Sequence, residues 1–436
     1  HQEETPFCRA ENIIKVRDFM NYKNLLNIYF FLAFLFTAQP CDTFNMTDAA
    51  KPLSILFMFG ASLFMCLHFK IKLNSRPLIY GFIAMGIWGG LQIVVLQRPT
   101  SPIVFIELFV TYTIFSLYKK DLPARFEHIS VKMAILSLVL WAICLVAYEP
   151  LYALAKAVGS PGANISQSLY IFSIPHNFED NRGFLLRNCG YSWEPGRFAC
   201  MLIIALWFNI QRTGLKFKDR NFLILTLALI SSQSTTGYLI YALMVTGYYI
   251  AYKKWNPAYM AIGGCIFIGS MSLPFMQAKI VELFQNSQNM EQQLRNMEYS
   301  TRHGTDSEDI FYVPQRFDGF MFQSINLAHA NKFIGEGRNF QNFYLNKELG
   351  YPIVVSEGLL NVFIRYGWII GLFMYLALFR SSVCINGHYQ GKGNILFPVL
   401  FIGLSFSYYL WAAPILMTLW LWSYWEGKLS TRKIIK

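Results

Sequence analysis

The stretch Leu78–Leu96, "LIYGFIAMGIWGGLQIVVL", has no charged residue from end to end. A helix needs about 20 apolar residues, each rising about 1.5 Å, to cross the hydrocarbon of a bilayer. This run meets that length. Working outward from it, similar runs recur along nearly all of the 436 residues, of which 54% are hydrophobic and only 14% charged. A soluble domain carries about 25% charged residues. The expected fold is therefore all-α, a polytopic membrane protein with about twelve transmembrane helices and two long outer, periplasmic loops.

The twelve runs are Leu25–Gln39, Leu53–Ile71, Leu78–Leu96, Ile103–Tyr118, Val131–Tyr148, Phe198–Ile210, Phe222–Gln233, Tyr238–Tyr252, Ala258–Phe275, Leu359–Phe379, Ile395–Leu410 and Pro414–Trp425. The seventh, eighth and twelfth are short. They divide the chain into an N-terminal segment (1–24), spans one to five (25–153), an outer loop (154–195), spans six to nine (196–275), a larger outer loop (276–356), spans ten to twelve (357–427) and a tail (428–436). No internal repeat is evident. Met20 offers an alternative start, which would leave residues 1–19 outside the native chain, and no cleavable signal peptide is evident.

In a soluble chain a net charge of +12 would point to nucleic acid. Here the basic residues gather in alternate loops, as in Lys70, Lys72 and Arg76, then Lys119, Lys120 and Arg125, then Arg212, Lys216, Lys218 and Arg220. That alternation follows the positive-inside rule and places both termini in the cytoplasm. No nucleic-acid partner is expected. The eight cysteines have no paired spacing and no neighbouring histidines, so neither a disulfide framework nor a metal site is indicated.

Three polar groupings interrupt this apolar pattern. The first is "RNCGYSWEPGRFAC", Arg187–Cys200. Pro195 suits the first position of a helix, which makes Glu194 its N-cap. Arg197 lies one turn deeper, with Arg187 and Arg182 on the preceding loop. Interfacial arginines often bind lipid phosphate, but these lie on the outer face, where positive charge is disfavoured. The second grouping, "RFDGFMFQSINLAHANKFIGEGRNF", spans Arg316–Phe340 and offers Arg316, Asp318, His329, Glu336 and Arg338 around a Gly-Glu-Gly bend. The third, "SEGLLNVFIRYGWIIGLF", spans Ser356–Phe373 and carries Glu357 at its outer end and Arg365 inside the span. An arginine at that depth needs a polar cavity or a carboxylate partner, and Glu107 in "IVFIELFV" is the obvious partner. Elsewhere, the acidic run Asp306–Asp309 reads as a solvated loop, and "QAKIVELFQNSQNMEQQLRNMEY" as a helix lying on the membrane or capping a cavity.

At these residues the chain resembles the O-antigen polymerase and ligase superfamily of bacterial inner-membrane proteins. The matching pieces are "RNCGYSWEPG" leading into a span, "SQSTTGYLIYAL" between two short spans, Arg316 followed by "GEGRNF", and "SEGLLNVFIRYGWIIGL". They cover about residues 187–372, and the Glu-Pro-Gly form looks more like the repeat-unit polymerases. The ligases place a histidine where this chain has Ser356 and Glu357.

The resemblance implies glycosyl transfer between oligosaccharides carried on undecaprenyl diphosphate, building an O-antigen or capsular polysaccharide. A chain-length regulator protein and membrane lipid would be further partners, and no cofactor or metal is implied. It makes Arg187 and Arg316 the expected diphosphate clamp, since a guanidinium binds phosphate oxygens with two parallel hydrogen bonds. Glu194, Glu357 and His329 compete as general base. Arg182, Arg197, His329, Arg338 and Arg365 are the expected supporting substrate-binding residues. The rival readings are a ligase-type transferase and a flippase for the same lipid-linked units. A flippase should show pseudo-symmetric halves and no large outer domain.

Overall fold

The computed structural model describes residues 6–39, 50–97, 102–158, 166–175, 186–252, 316–349, 353, 355, 357–388 and 395–426. In chain order the helices are α1 (Pro6–Ala38), α2 (Ala50–His68), α3 (Arg76–Leu96), α4 (Ile103–Tyr118), α5 (Leu122–Val146), α6 (Tyr148–Val158), α7 (Pro195–Thr213), α8 (Arg220–Ser232) and α9 (Thr235–Tyr252). They continue with α10 (Arg316–His329), α11 (Tyr344–Leu349), α12 (Asn361–His388), α13 (Leu396–Ser405), α14 (Pro414–Trp420) and α15 (Trp422–Glu426).

Eleven of the twelve apolar runs fall on these helices, and the ninth, Ala258–Phe275, lies outside the described residues, as does the expected surface helix after it. Among the described residues, three stretches are long and apolar enough to cross a membrane: α3, α12, and Ile103–Val146, in which α4 and α5 meet at the short 3-10 turn Lys119–Asp121.

The core centres on α7. Its middle, Phe198–Phe208, is apolar throughout, and it is buried from Pro195 to Gln211. It packs against α5, α8 and α9, and α9 in turn packs on α13. Gly237 of α9 lets the chain pass close to Ala199, and Trp207 stacks on Phe397 of α13 with ring centroids 4.5 Å apart. By contrast, α3 turns Ile83, Ile87 and Val94 outward and buries only Leu78, Trp88, Gly89 and Gln92. Hydrocarbon, not water, is the solvent such a surface suits.

Part of the outer loop expected over 154–195 is ordered structure. After α6, an antiparallel hairpin pairs β1 (Ser166–Leu169) with β2 (Phe172–Pro175), and Leu169 faces Phe172 across its turn. Phe172 and Ile174 are buried against Ala155 and Cys144, so the hairpin and α6 share a small apolar core of their own.

A buried polar knot joins α5, α7 and α8. Glu127 accepts from Arg212 Nε (2.9 Å) and Nη2 (2.6 Å), from Asn209 Nδ2 (2.9 Å) and from Asn221 Nδ2 (3.1 Å). Asp219 caps α8 by accepting from the Phe222 N–H and also receives Asn209. Removing a buried carboxylate strands its donors, although Arg212 is 42% exposed and can rehydrate. Glu127→Ala should therefore destabilise the protein by on the order of 2 kcal/mol. Thermal unfolding in detergent measures it, and an unchanged midpoint would show that the knot is not a stabilising one.

Candidate functional site

The site is built around a break in α12. At Gly367 the backbone adopts φ 77° and ψ 175°, a conformation open only to glycine, and the helix is interrupted there. A break inside a helix strands carbonyls that need other donors. They are satisfied by a loop far along the chain, Asn331–Arg338. Glu336 N donates to Ile364 O (2.7 Å), Gly337 N to Arg365 O (3.1 Å), and Trp368 N to Lys332 O (2.7 Å). From α3, one turn apart on its inner face, Trp88 Nε1 donates to Ile334 O and Tyr366 O, and Gln92 Nε2 to Ile334 O and Arg365 O. Gly335, at φ 71°, lies so close that a Cβ would sit 2.5 Å from the Arg365 carbonyl oxygen.

The loop is also braced from within. Asn331 Oδ1 accepts from the N–H groups of Phe333 and Ile334, and Glu336 accepts from Asn331 N (3.0 Å) with Lys347 3.8 Å away. Glu336 is therefore a loop brace. At the end of the loop, Arg338 forms a bidentate pair with Glu107 of α4, Nη1 to Oε2 at 2.7 Å and Nη2 to Oε1 at 2.8 Å. This overturns the expected pairing of Glu107 with Arg365. The helix break brings Arg338 up to Glu107 and turns Arg365 elsewhere.

Arg365 lies over Tyr409, its ζ carbon 4.4 Å from the ring centroid, and its Nε donates to Asn361 Oδ1 at 2.6 Å. Its two Nη atoms have no partner among the described residues. The guanidinium is thus held by its face and its inner nitrogen, leaving the outer fork for an anion. Asn361 continues the chain by donating to Glu357 O (3.1 Å). Glu357 is buried, and its carboxyl accepts from the Leu359 and Leu360 N–H groups at the start of α12. Burial pushes that carboxyl up to about 7, outweighing the lowering effect of the N–H groups of Leu360, Leu359 and Asn361. A carboxyl near neutral pKa is suited to exchange a proton at physiological pH.

The turn between α13 and α14 ties these elements to α7. Gly358 N donates to Ser405 O (2.7 Å), Thr236 Oγ1 and Ser407 Oγ are 2.7 Å apart, and the Tyr408 ring tip packs on Gly196, where an added Cβ would displace it. Tyr409, the next residue, carries Arg365. The Glu-Pro-Gly entrance to α7, the start of α9 and the start of α12 therefore meet on consecutive residues of one turn.

Of the other candidates, Glu194 is the N-cap of α7 by backbone geometry, with Pro195 following, while its side chain makes no capping hydrogen bond. Arg197 is buried and donates to Thr37 O (2.9 Å) and Ala38 O (3.4 Å), while Ser192 Oγ and Trp193 N donate to Ala38 O and Gln39 O. The Arg187–Cys200 stretch thus caps the end of α1, whose last carbonyls attract cations. Arg187 is half-buried beside the α8–α9 turn, with Nε 3.4 Å from Ser232 O. His329 is exposed and stacks on Tyr344, ring centroids 3.7 Å apart. Arg182 lies outside the described residues, and of Arg316 the structure describes only the backbone, at the start of α10. Sequence reasoning passed over Asn361, Tyr409, Trp88 and Gln92. The spacing of Glu357, Asn361 and Arg365, four residues apart each time, was a usable signal that they share a helix face.

No family model matches the chain, and no curated protein or solved structure matches it.

The Glu357 carboxyl predicts a pH dependence. Its proton is held more tightly in the folded state than at the usual 4.5 of the unfolded chain. The stability it contributes is full below about pH 4.5 and is lost as pH rises through about 7, a change of at most about 3 kcal/mol. The unfolding midpoint in detergent should fall between about pH 5 and about pH 8, and Glu357→Gln should remove that fall. An identical pH profile in the variant would refute the assignment.

Proposed function

We propose that the protein joins oligosaccharide repeat units carried on undecaprenyl diphosphate, at the outer face of a bacterial inner membrane. It would cross that membrane about twelve times, with both termini inside. The single observation that carries this reading is Arg365, stacked on Tyr409 with its outer fork open and linked through Asn361 to the buried Glu357. A sugar diphosphate is already activated, so transfer needs a cation for the leaving group and a base for the acceptor.

In the proposed reaction a hydroxyl at the non-reducing end of a new repeat unit attacks the anomeric carbon of the growing chain. The bond from that carbon to the diphosphate breaks, and undecaprenyl diphosphate leaves against Arg365, with Arg187 and Arg316 completing the clamp. The hydroxyl proton passes to a carboxylate. Glu357 is favoured over Glu194 and His329 because its environment raises its proton affinity.

Deleting the gene and comparing the host's surface glycan on a gel tests the reading. Loss of the long ladder, with a single repeat unit still anchored, is expected. Loss of even that unit would favour a ligase or a flippase. The flippase reading draws its own support from the Arg338–Glu107 pair, a charged contact on an apolar helix.

A further inference from the structure

Glu107 makes no hydrogen bond to Arg365, Asn361 or Glu357 among the described residues, yet three successive sets of contacts lead from it to them. The first is the bidentate pair with Arg338. The second is the ladder from the loop ending in Arg338 to the Ile364 and Arg365 carbonyls. The third is the packing of Gly335 directly on the Arg365 backbone, where even one added carbon would collide. A bidentate guanidinium–carboxylate pair fixes both distance and orientation. Its fork is fully used, so Arg338 is occupied where Arg365 is open.

We propose that Glu107 is a positioning residue for the candidate site. By holding Arg338 it seats the Asn331–Arg338 loop in the break of α12, and the seated loop fixes the backbone that aims Arg365 onto Tyr409. Trp88 and Gln92 complete the seat from α3, so the aim of one cation is set from two neighbouring helices. The link to catalysis rests on the transferase reading above, while the seating of the loop does not.

The test uses the full-length protein in detergent, with Glu107→Gln, Arg338→Gln and the exchanged pair Glu107→Arg with Arg338→Glu. Amide hydrogen exchange at Glu336 and Gly337 reports the seat directly, because those two N–H groups are donated across the break. Each single variant should speed their exchange about tenfold or more, leaving the α7 amides unchanged. The exchanged pair should return it to within about threefold of the parent. Chain growth per folded molecule should follow the same order, with the donor concentration for half-maximal rate rising in the single variants and recovering in the exchanged pair.

Unchanged exchange in Glu107→Gln would overturn the seating. Restored exchange without restored chain growth would show that Arg338 or Glu107 meets the substrate itself, and would overturn the positioning role. If the exchanged pair does not fold, the two single variants still decide through exchange and half-maximal donor concentration. Should Arg365→Ala leave chain growth intact, the transferase reading fails, and the exchange data still decide the seating.

Discussion

Arg365→Ala should cut chain growth by about a hundredfold or more per molecule while the protein stays at its normal level in the membrane. The structure separates these two quantities. Arg365 gives up one hydrogen bond, to Asn361, and one stacking contact, with Tyr409, so its loss removes little that holds helices together. An exposed or half-buried stack of this kind is worth about 1 kcal/mol. Its open fork, by contrast, is where charge would develop on a departing diphosphate. Arg365→Lys keeps the charge but loses the planar fork, and should recover only part of the rate. A gel-resolved time course from a lipid-linked donor measures both variants. A parent-like rate for Arg365→Ala would remove the carrying observation of the transferase reading.

Gly367→Ala should be the most damaging single substitution in α12. The glycine sits at φ 77°, and a Cβ there would lie 2.2 Å from Phe333 O and 2.8 Å from Ile334 N. Both atoms belong to the loop backbone and cannot swing away as a side-chain tip would. The conformational strain alone costs about 1–3 kcal/mol, and the collision adds a similar amount unless the loop leaves its seat. If it leaves, the carbonyls of Ile364 and Arg365 lose the Glu336 and Gly337 N–H groups together. Gly367→Ala should therefore lower both the unfolding midpoint and the amount of folded protein, whereas Gly86→Ala should do neither. Nothing lies within 4 Å of a Cβ at Gly86. Equal behaviour of the two variants would show that α12 can re-form across the break.

This contrast also shows where sequence reading succeeds and fails. The positions of α3, α4 and α7 were legible because each is a local pattern, a mostly apolar run with a proline at or near its start in α3 and α7. The N-cap role of Glu194 was legible for the same reason. The partner of Glu107 was not. Arg338 is separated from it by 231 positions, and no periodicity relates them. Arg365 was the nearer guess on depth alone, but depth along an ideal helix means little once Gly367 breaks the helix. That glycine gives no local warning, because Gly86 and Gly90 stand in α3 without breaking it. The arginines of Arg187–Cys200 were misleading in a different way. Arg197 does sit at a helix boundary, but the boundary it serves is the end of α1, 160 positions earlier.

The distance from Glu107 to Arg338 has a consequence in time. A ribosome adds about 5–20 residues each second, so the 231 residues between them take roughly 12–46 seconds to make. Throughout that interval α3 and α4 exist without the loop that occupies Trp88, Gln92 and Glu107. The first helices must wait, with a carboxylate and two donors unmatched, for a segment not yet translated. The seat on α3 and α4 is therefore filled late, by one short loop. A nascent chain halted before Arg338 leaves Glu107 without its partner.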